Sequence, residues 1–71
     1  MVRNNIKLLR NEAGITQEQF AKELRITRQT VIAIENYRYN PCLELALKIA
    51  KFFNKQVEDI FFLEEDKSSA T

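Results

Sequence analysis

Residues 16–41 run TQEQFAKELRITRQTVIAIENYRYNP, and the spacing of their apolar side chains decides the fold. Thr16 followed three residues later by Gln19 is a capping-box pair: the hydroxyl accepts from a free backbone N–H, and the glutamine reaches back to the cap. Phe20, Ala21 and Leu24 then recur at helical spacing, which predicts a helix over 17–24. Only Arg25 and Ile26 separate it from Thr27, a second good N-cap. Beyond that cap, Val31 and Ile34 mark the buried side of a helix over 28–36. Two short helices joined by so tight a turn must cross steeply. The crossing needs a small residue, and the turn needs apolar residues on both sides. Ala21 is that small residue, and Phe20, Leu24, Ile26, Val31 and Ile34 are the positions such a pair must bury. Arg28, Gln29, Thr30, Ile32 and Ala33 are left pointing outward.

Upstream, Ile6, Leu9 and Ala13 share one stripe and Gly14 follows where a helix end favours a left-handed residue, so a first helix is expected over 5–13. Downstream, the segment Tyr37 to Pro41 cannot continue the third helix, because a residue before proline is pushed out of the helical region. Leu43, Ala46, Leu47, Ile49, Ala50 and Phe53 then form an apolar face too broad for an exposed helix. This predicts a central fourth helix capped by Asn54. Val57, Ile60 and Phe61 repeat the helical spacing in a brief fifth helix beginning near Gln56. Ile60-Phe61-Phe62-Leu63 also has strand character, and Met1-Val2-Arg3 is its candidate partner in a minimal two-stranded sheet. The expectation is an all-α, five-helix domain over 1–63, followed by an acidic, disordered tail over 64–71.

Composition narrows the chemistry. Seventy-one residues with 45% apolar side chains, one proline and one glycine make one ordered domain with little linker, near the lower size limit for a self-supporting core. One cysteine closes no internal disulfide, and with no histidine the chain has neither the ligands of a structural zinc site nor a His-based catalytic pair. No enzyme activity, metal, cofactor or small-molecule ligand is therefore expected. No long apolar run follows the first charges and no stretch of eighteen apolar residues occurs, so neither a signal peptide nor a membrane span is expected. The expected location is the cytoplasm, where thiols stay reduced. Residues 1–55 hold ten Lys/Arg against five Asp/Glu, whereas residues 56–71 hold one against five. That asymmetry fits a basic body facing an anionic partner and an acidic end turned away from it, or an ordinary solvated surface.

The outward side of the third helix carries a more specific signal. Arginine and glutamine at the leading end of a presented helix are the two commonest bidentate partners of base edges, arginine for guanine and glutamine for adenine. Arg28 and Gln29 stand there, and Thr30 can meet a base or a thymine methyl. The same three residues also suit the plain polar face of a three-helix core.

The quoted stretch, with LELALKIA over 43–50 and VEDIF over 57–61, resembles the helix-turn-helix domain of the phage-repressor and Cro class, the Xre-like transcriptional regulators. The resemblance spans residues 4–63 and is strongest to the stand-alone members that act as homodimers. It implies sequence-specific binding of double-stranded DNA by a repressor, on a palindromic operator, with the third helix in the major groove. Base contacts are implied for Arg28, Gln29, Thr30 and Ala33. Gln17 is implied to anchor a phosphate, or else is a neutral first-turn residue. Thr27 and Asn36 match positions near the DNA backbone, although Thr27 can serve only as a cap; Arg38 and Asn40 match backbone-contacting loop positions. Arg10 and Glu35 match a partly buried ion pair that turns the guanidinium toward phosphate, the alternative being a solvated pair of little consequence.

Three positions depart from that class. Arg25 and Tyr37 stand where glycine is common and positive φ is expected, at about 1 kcal/mol of strain each. Cys42 replaces a Ser or Thr cap and is expected to be a small buried residue rather than a redox sensor. Homodimerisation also has a physical motive, since two modules related by a twofold axis read half-sites roughly 34 Å apart. Phe53, Val57, Ile60, Phe61, Phe62 and Leu63 are more apolar surface than so small a core readily buries, and the surplus is assigned to a dimer interface; an aromatic-rich monomer core is the alternative. A second functional expectation is an antitoxin or phage-type component whose main partner is another protein.

Overall fold

The computed structural model describes residues 2–64. Strand β1 (Val2–Asn4) is followed by four helices, α1 (Ile6–Glu12), α2 (Gln17–Leu24), α3 (Arg28–Glu35) and α4 (Leu43–Phe53). A 3-10 turn over Val57–Asp59 and strand β2 (Phe61–Leu63) complete the fold. Local chemistry sets the helix ends. Thr16 Oγ1 accepts from Gln19 N at 3.0 Å and Gln19 Oε1 accepts from Thr16 N at 2.8 Å, so both halves of the capping box form. Thr27 Oγ1 accepts from Thr30 N at 3.1 Å and starts α3. Cys42 precedes α4 without a side-chain cap bond, and Asn54 closes it in the left-handed conformation at φ 56°.

Ile6, Phe20, Leu24, Val31, Ile34, Leu45, Ile49 and Ile60 form the core, with one or more residues from each helix. Phe20 meets Phe52 and Phe53 with ring centroids 5.3 Å away in each case, tying α2 to the end of α4.

Four expectations need correction. The fifth helix is a single 3-10 turn: Gln56 N donates to Asp59 Oδ2 at 3.2 Å and closes one turn, after which the chain must extend at Phe61 to pair with β1. The expected two-stranded sheet forms, with β1 shifted one residue on from Met1–Arg3: β1 and β2 pair antiparallel in the register Val2–Leu63, Arg3–Phe62 and Asn4–Phe61, so the fold is mostly rather than purely α. On α1 the inward stripe is Ile6, Leu9 and Arg10, whereas Ala13 is exposed. On α4 the inward residues are Leu45, Ala46, Ile49 and Ala50, while Leu43 and Leu47 face solvent. Glu64 pairs with Arg3 at 2.8 Å; the rest of the expected disordered tail, residues 65–71, lies outside the described residues, as does Met1.

The two positions expected to need positive φ have it, Arg25 at 59° and Tyr37 at 63°. At Arg25 the side chain is exposed and the strain is local. Arg25→Gly should therefore raise the unfolding free energy by about 0.5–1 kcal/mol, read from urea denaturation, because glycine adopts this backbone without a Cβ clash.

Candidate nucleic-acid interface

The crossing of α2 and α3 leaves one side of α3 free. Val31 and Ile34 point into the core, Arg28 and Gln29 are exposed at its leading end, and Thr30, Ile32 and Ala33 are half-buried. The Thr30 hydroxyl lies 2.9 Å from Thr27 Oγ1, so its polar group is turned along the helix start. Thr27, Asn36, Arg38 and Asn40 are all exposed around this face.

Behind it sits a closed ionic knot. Arg10 Nε donates to Glu35 Oε2 at 2.8 Å and Arg10 Nη2 to Glu35 Oε1 at 3.2 Å. Gln17 Nε2 donates to Glu35 Oε1 at 3.1 Å, and Arg10 Nη1 to the Ile15 carbonyl at 2.9 Å. The two charged side chains are only 9% and 2% exposed. The solvated-pair alternative is thereby excluded. Three of the five guanidinium N–H donors are engaged within the chain, and the Arg10 side chain also lines the hollow at the start of α2. One of the two N–H donors of the Gln17 amide is likewise spent on Glu35, leaving the other and the backbone N–H to offer an anion. The first turn of α2 borders an open hollow of about 590 Å³ walled also by Asn11, Gly14 and Arg28, and its leading N–H groups have no helical carbonyl to reach.

Sequence reasoning missed Asn4. Its Nδ2 donates to the Ile34 carbonyl at 2.9 Å and its Oδ1 accepts from Ile6 N at 3.1 Å, so one side chain ties β1 to the end of α3 and starts α1. Tyr37 adds to this joint: its hydroxyl donates to the Asn4 carbonyl at 3.4 Å and the Arg3 guanidinium lies 5.5 Å from its ring centroid. The only local signal was a short polar residue just before a helix; both partners lie about thirty residues away.

The apolar residues at the far end of the chain separate into two sets. Ile60 is 0% exposed and belongs to the monomer core, so it has no surface to offer a second subunit, and that expectation is corrected. Phe53, Val57 and Phe61 are half-buried against the same core, whereas Phe62 and Leu63 are 43% and 81% exposed. Cys42 is exposed rather than buried, because it stands at the start of α4 in the loop that also presents Tyr39. Among the described residues no group of metal-ligating side chains occurs and no helix is long and apolar enough to cross a membrane.

Two capped helices joined by a tight turn, the first burying Ala21 and the second presenting arginine and glutamine on its free side, define a helix-turn-helix protein that binds DNA in transcription regulation. The chain belongs to the helix-turn-helix family of the Xre and Cro/C1 type, whose model, described as Helix-turn-helix, matches residues 6–60. It is 50% identical over 66 residues to a protein of Methanocaldococcus jannaschii named as an HTH-type transcriptional regulator, covering 93% of this chain and 100% of that one. To an HTH-type transcriptional regulator of Bacillus subtilis, YgzD, it is 48% identical over 65 residues, covering 92% and 98%. A crystal structure from Bacteroides fragilis, whose name gives it as a candidate DNA-binding protein, shares the fold with a TM-score of 0.77 at 21% identity, over 87% of this chain and 100% of that one. The family is one of transcriptional regulators rather than a class of enzymes.

Proposed function

We propose that this protein is a cytoplasmic repressor that binds a palindromic operator as a homodimer, with α3 of each subunit in the major groove. Arg28, Gln29, Thr30 and Ala33 face the bases. Thr27, Asn36, Arg38, Asn40 and the leading N–H groups of α2 at Gln17 lie along the sugar-phosphate backbone. Phe62 and Leu63, flanked by Phe53, Val57 and Phe61, form the subunit contact. The observation that carries this reading is the exposure of Arg28 and Gln29 on a helix whose opposite face is buried, since among the described residues neither side chain makes a hydrogen bond or ion pair that would explain its position.

Enrichment from random duplexes should yield a palindromic site. On that site Arg28→Ala or Gln29→Ala should cost about 1–3 kcal/mol, with little change on random duplexes; equal loss on both would overturn the base-reading roles. A second reading, with another protein as the main ligand, as for an antitoxin, draws on Leu43 and Leu47, an exposed i,i+4 apolar pair on α4. Release of the operator when one defined small protein is added would favour it.

A further inference from the structure

Tyr39, in the loop between α3 and α4, is 45% exposed and closes one side of a hollow of about 390 Å³ whose other walls are Gln29, Thr30 and Ala33. The surface of the hollow is mainly apolar. The side chain of Ala33 is a methyl, that of Tyr39 is chiefly a ring, and the Thr30 hydroxyl lies 2.9 Å from Thr27 Oγ1. Gln29 alone brings an amide.

Among the groups that base pairs display in the major groove, the single apolar one is the C5 methyl of thymine. An apolar hollow on a helix face that meets base edges therefore has one natural occupant. We propose that it is a thymine-reading subsite, in which the methyl of one thymine per half-site seats between Tyr39 and Ala33 while the Gln29 amide bonds an adjacent adenine edge. Arg28 and Arg38 lie on α3 and in its following loop, where their charge attracts the anionic duplex. The inference rests on the assignment of α3 to the major groove and adds Tyr39 as a specificity-determining residue outside that helix.

Thymine and deoxyuridine differ only in the methyl, which makes the test direct. Once a preferred duplex has been enriched with the full chain, each thymine is replaced singly by deoxyuridine. One position per half-site should lose about threefold to fivefold in affinity, the value of one buried methyl. Cytosine placed there should bind better when methylated at C5. Tyr39→Ala should abolish the thymine-uracil difference at that position alone, and Tyr39→Phe should keep it. Equal binding of all the deoxyuridine duplexes overturns the subsite, as does a difference that survives in Tyr39→Ala. The deoxyuridine scan uses the unaltered protein and decides the matter even if Tyr39→Ala folds poorly. Failure to enrich any site would instead overturn the assignment of α3, and the subsite with it.

Discussion

Glu35→Ala should destabilise the protein by about 3–5 kcal/mol, enough to leave much of it unfolded at room temperature, with circular dichroism during urea denaturation as the measurement. The carboxylate accepts from Arg10 at 2.8 and 3.2 Å and from Gln17 at 3.1 Å, so α1, α2 and the end of α3 converge on one side chain that is 2% exposed. Its removal strands the Arg10 guanidinium, only 9% exposed, with the Ile15 carbonyl at 2.9 Å the one acceptor left to it among the described residues. The cost is thus mainly that of an uncompensated buried charge and much less that of a lost attraction. Two companion variants separate these terms. Arg10→Ala leaves the opposite charge stranded and should be similarly harmful. The pair Arg10→Met with Glu35→Leu removes both charges and fills the space, and should recover most of the loss. A loss below about 1 kcal/mol for Glu35→Ala would show that the knot is solvated and energetically idle, as surface pairs are.

The parts of this molecule legible in its sequence are those decided within a few residues. Thr16 with Gln19, and Thr27, announce their caps because a hydroxyl three residues before a free N–H needs no tertiary partner. The left-handed backbone at Arg25, Tyr37 and Asn54 follows from where helices must stop, even without glycine. Periodicity misled on α4. Leu43, Leu45 and Leu47 alternate, cannot all share one helical face, and only packing into the common core selects Leu45 as the inward one. The 3-10 turn was mistaken for a helix because Val57 and Ile60 are spaced alike in both. Within the site, Arg28 and Gln29 could be placed from their position on α3 alone. The commitment of Gln17 to Glu35, and the joint made by Asn4, depend on contacts across the fold that no local pattern encodes.

The double variant Phe62→Thr, Leu63→Thr should leave the fold standing and cost about a hundredfold or more in operator affinity. Neither side chain contributes to the core, and threonine suits an extended backbone, so the pairing of β2 with β1 survives and the melting temperature should move little. Neutral replacements leave the electrostatic attraction to DNA unaltered, which charged ones would not. What the variant loses is the apolar surface proposed to join two subunits. A lone subunit brings one reading helix to the duplex, whereas a joined pair gains the second half-site at the high effective concentration of a tethered ligand, worth about 10²–10⁴. In sedimentation the unaltered chain should run as a dimer and the variant as a monomer. On DNA, the variant should bind the full palindrome no better than an isolated half-site, and at the half-site affinity of the unaltered protein. A variant that stays dimeric, or holds the palindrome as before, would place the subunit contact elsewhere. The position of the strand gives this contact a direct route to the reading helix: β2 pairs with β1 at Asn4, and the Asn4 amide holds the Ile34 carbonyl of α3 at 2.9 Å. Through Asn4 the proposed twofold contact would be joined to the angle at which α3 is presented, so its loss should also free the two proposed reading helices from any fixed separation.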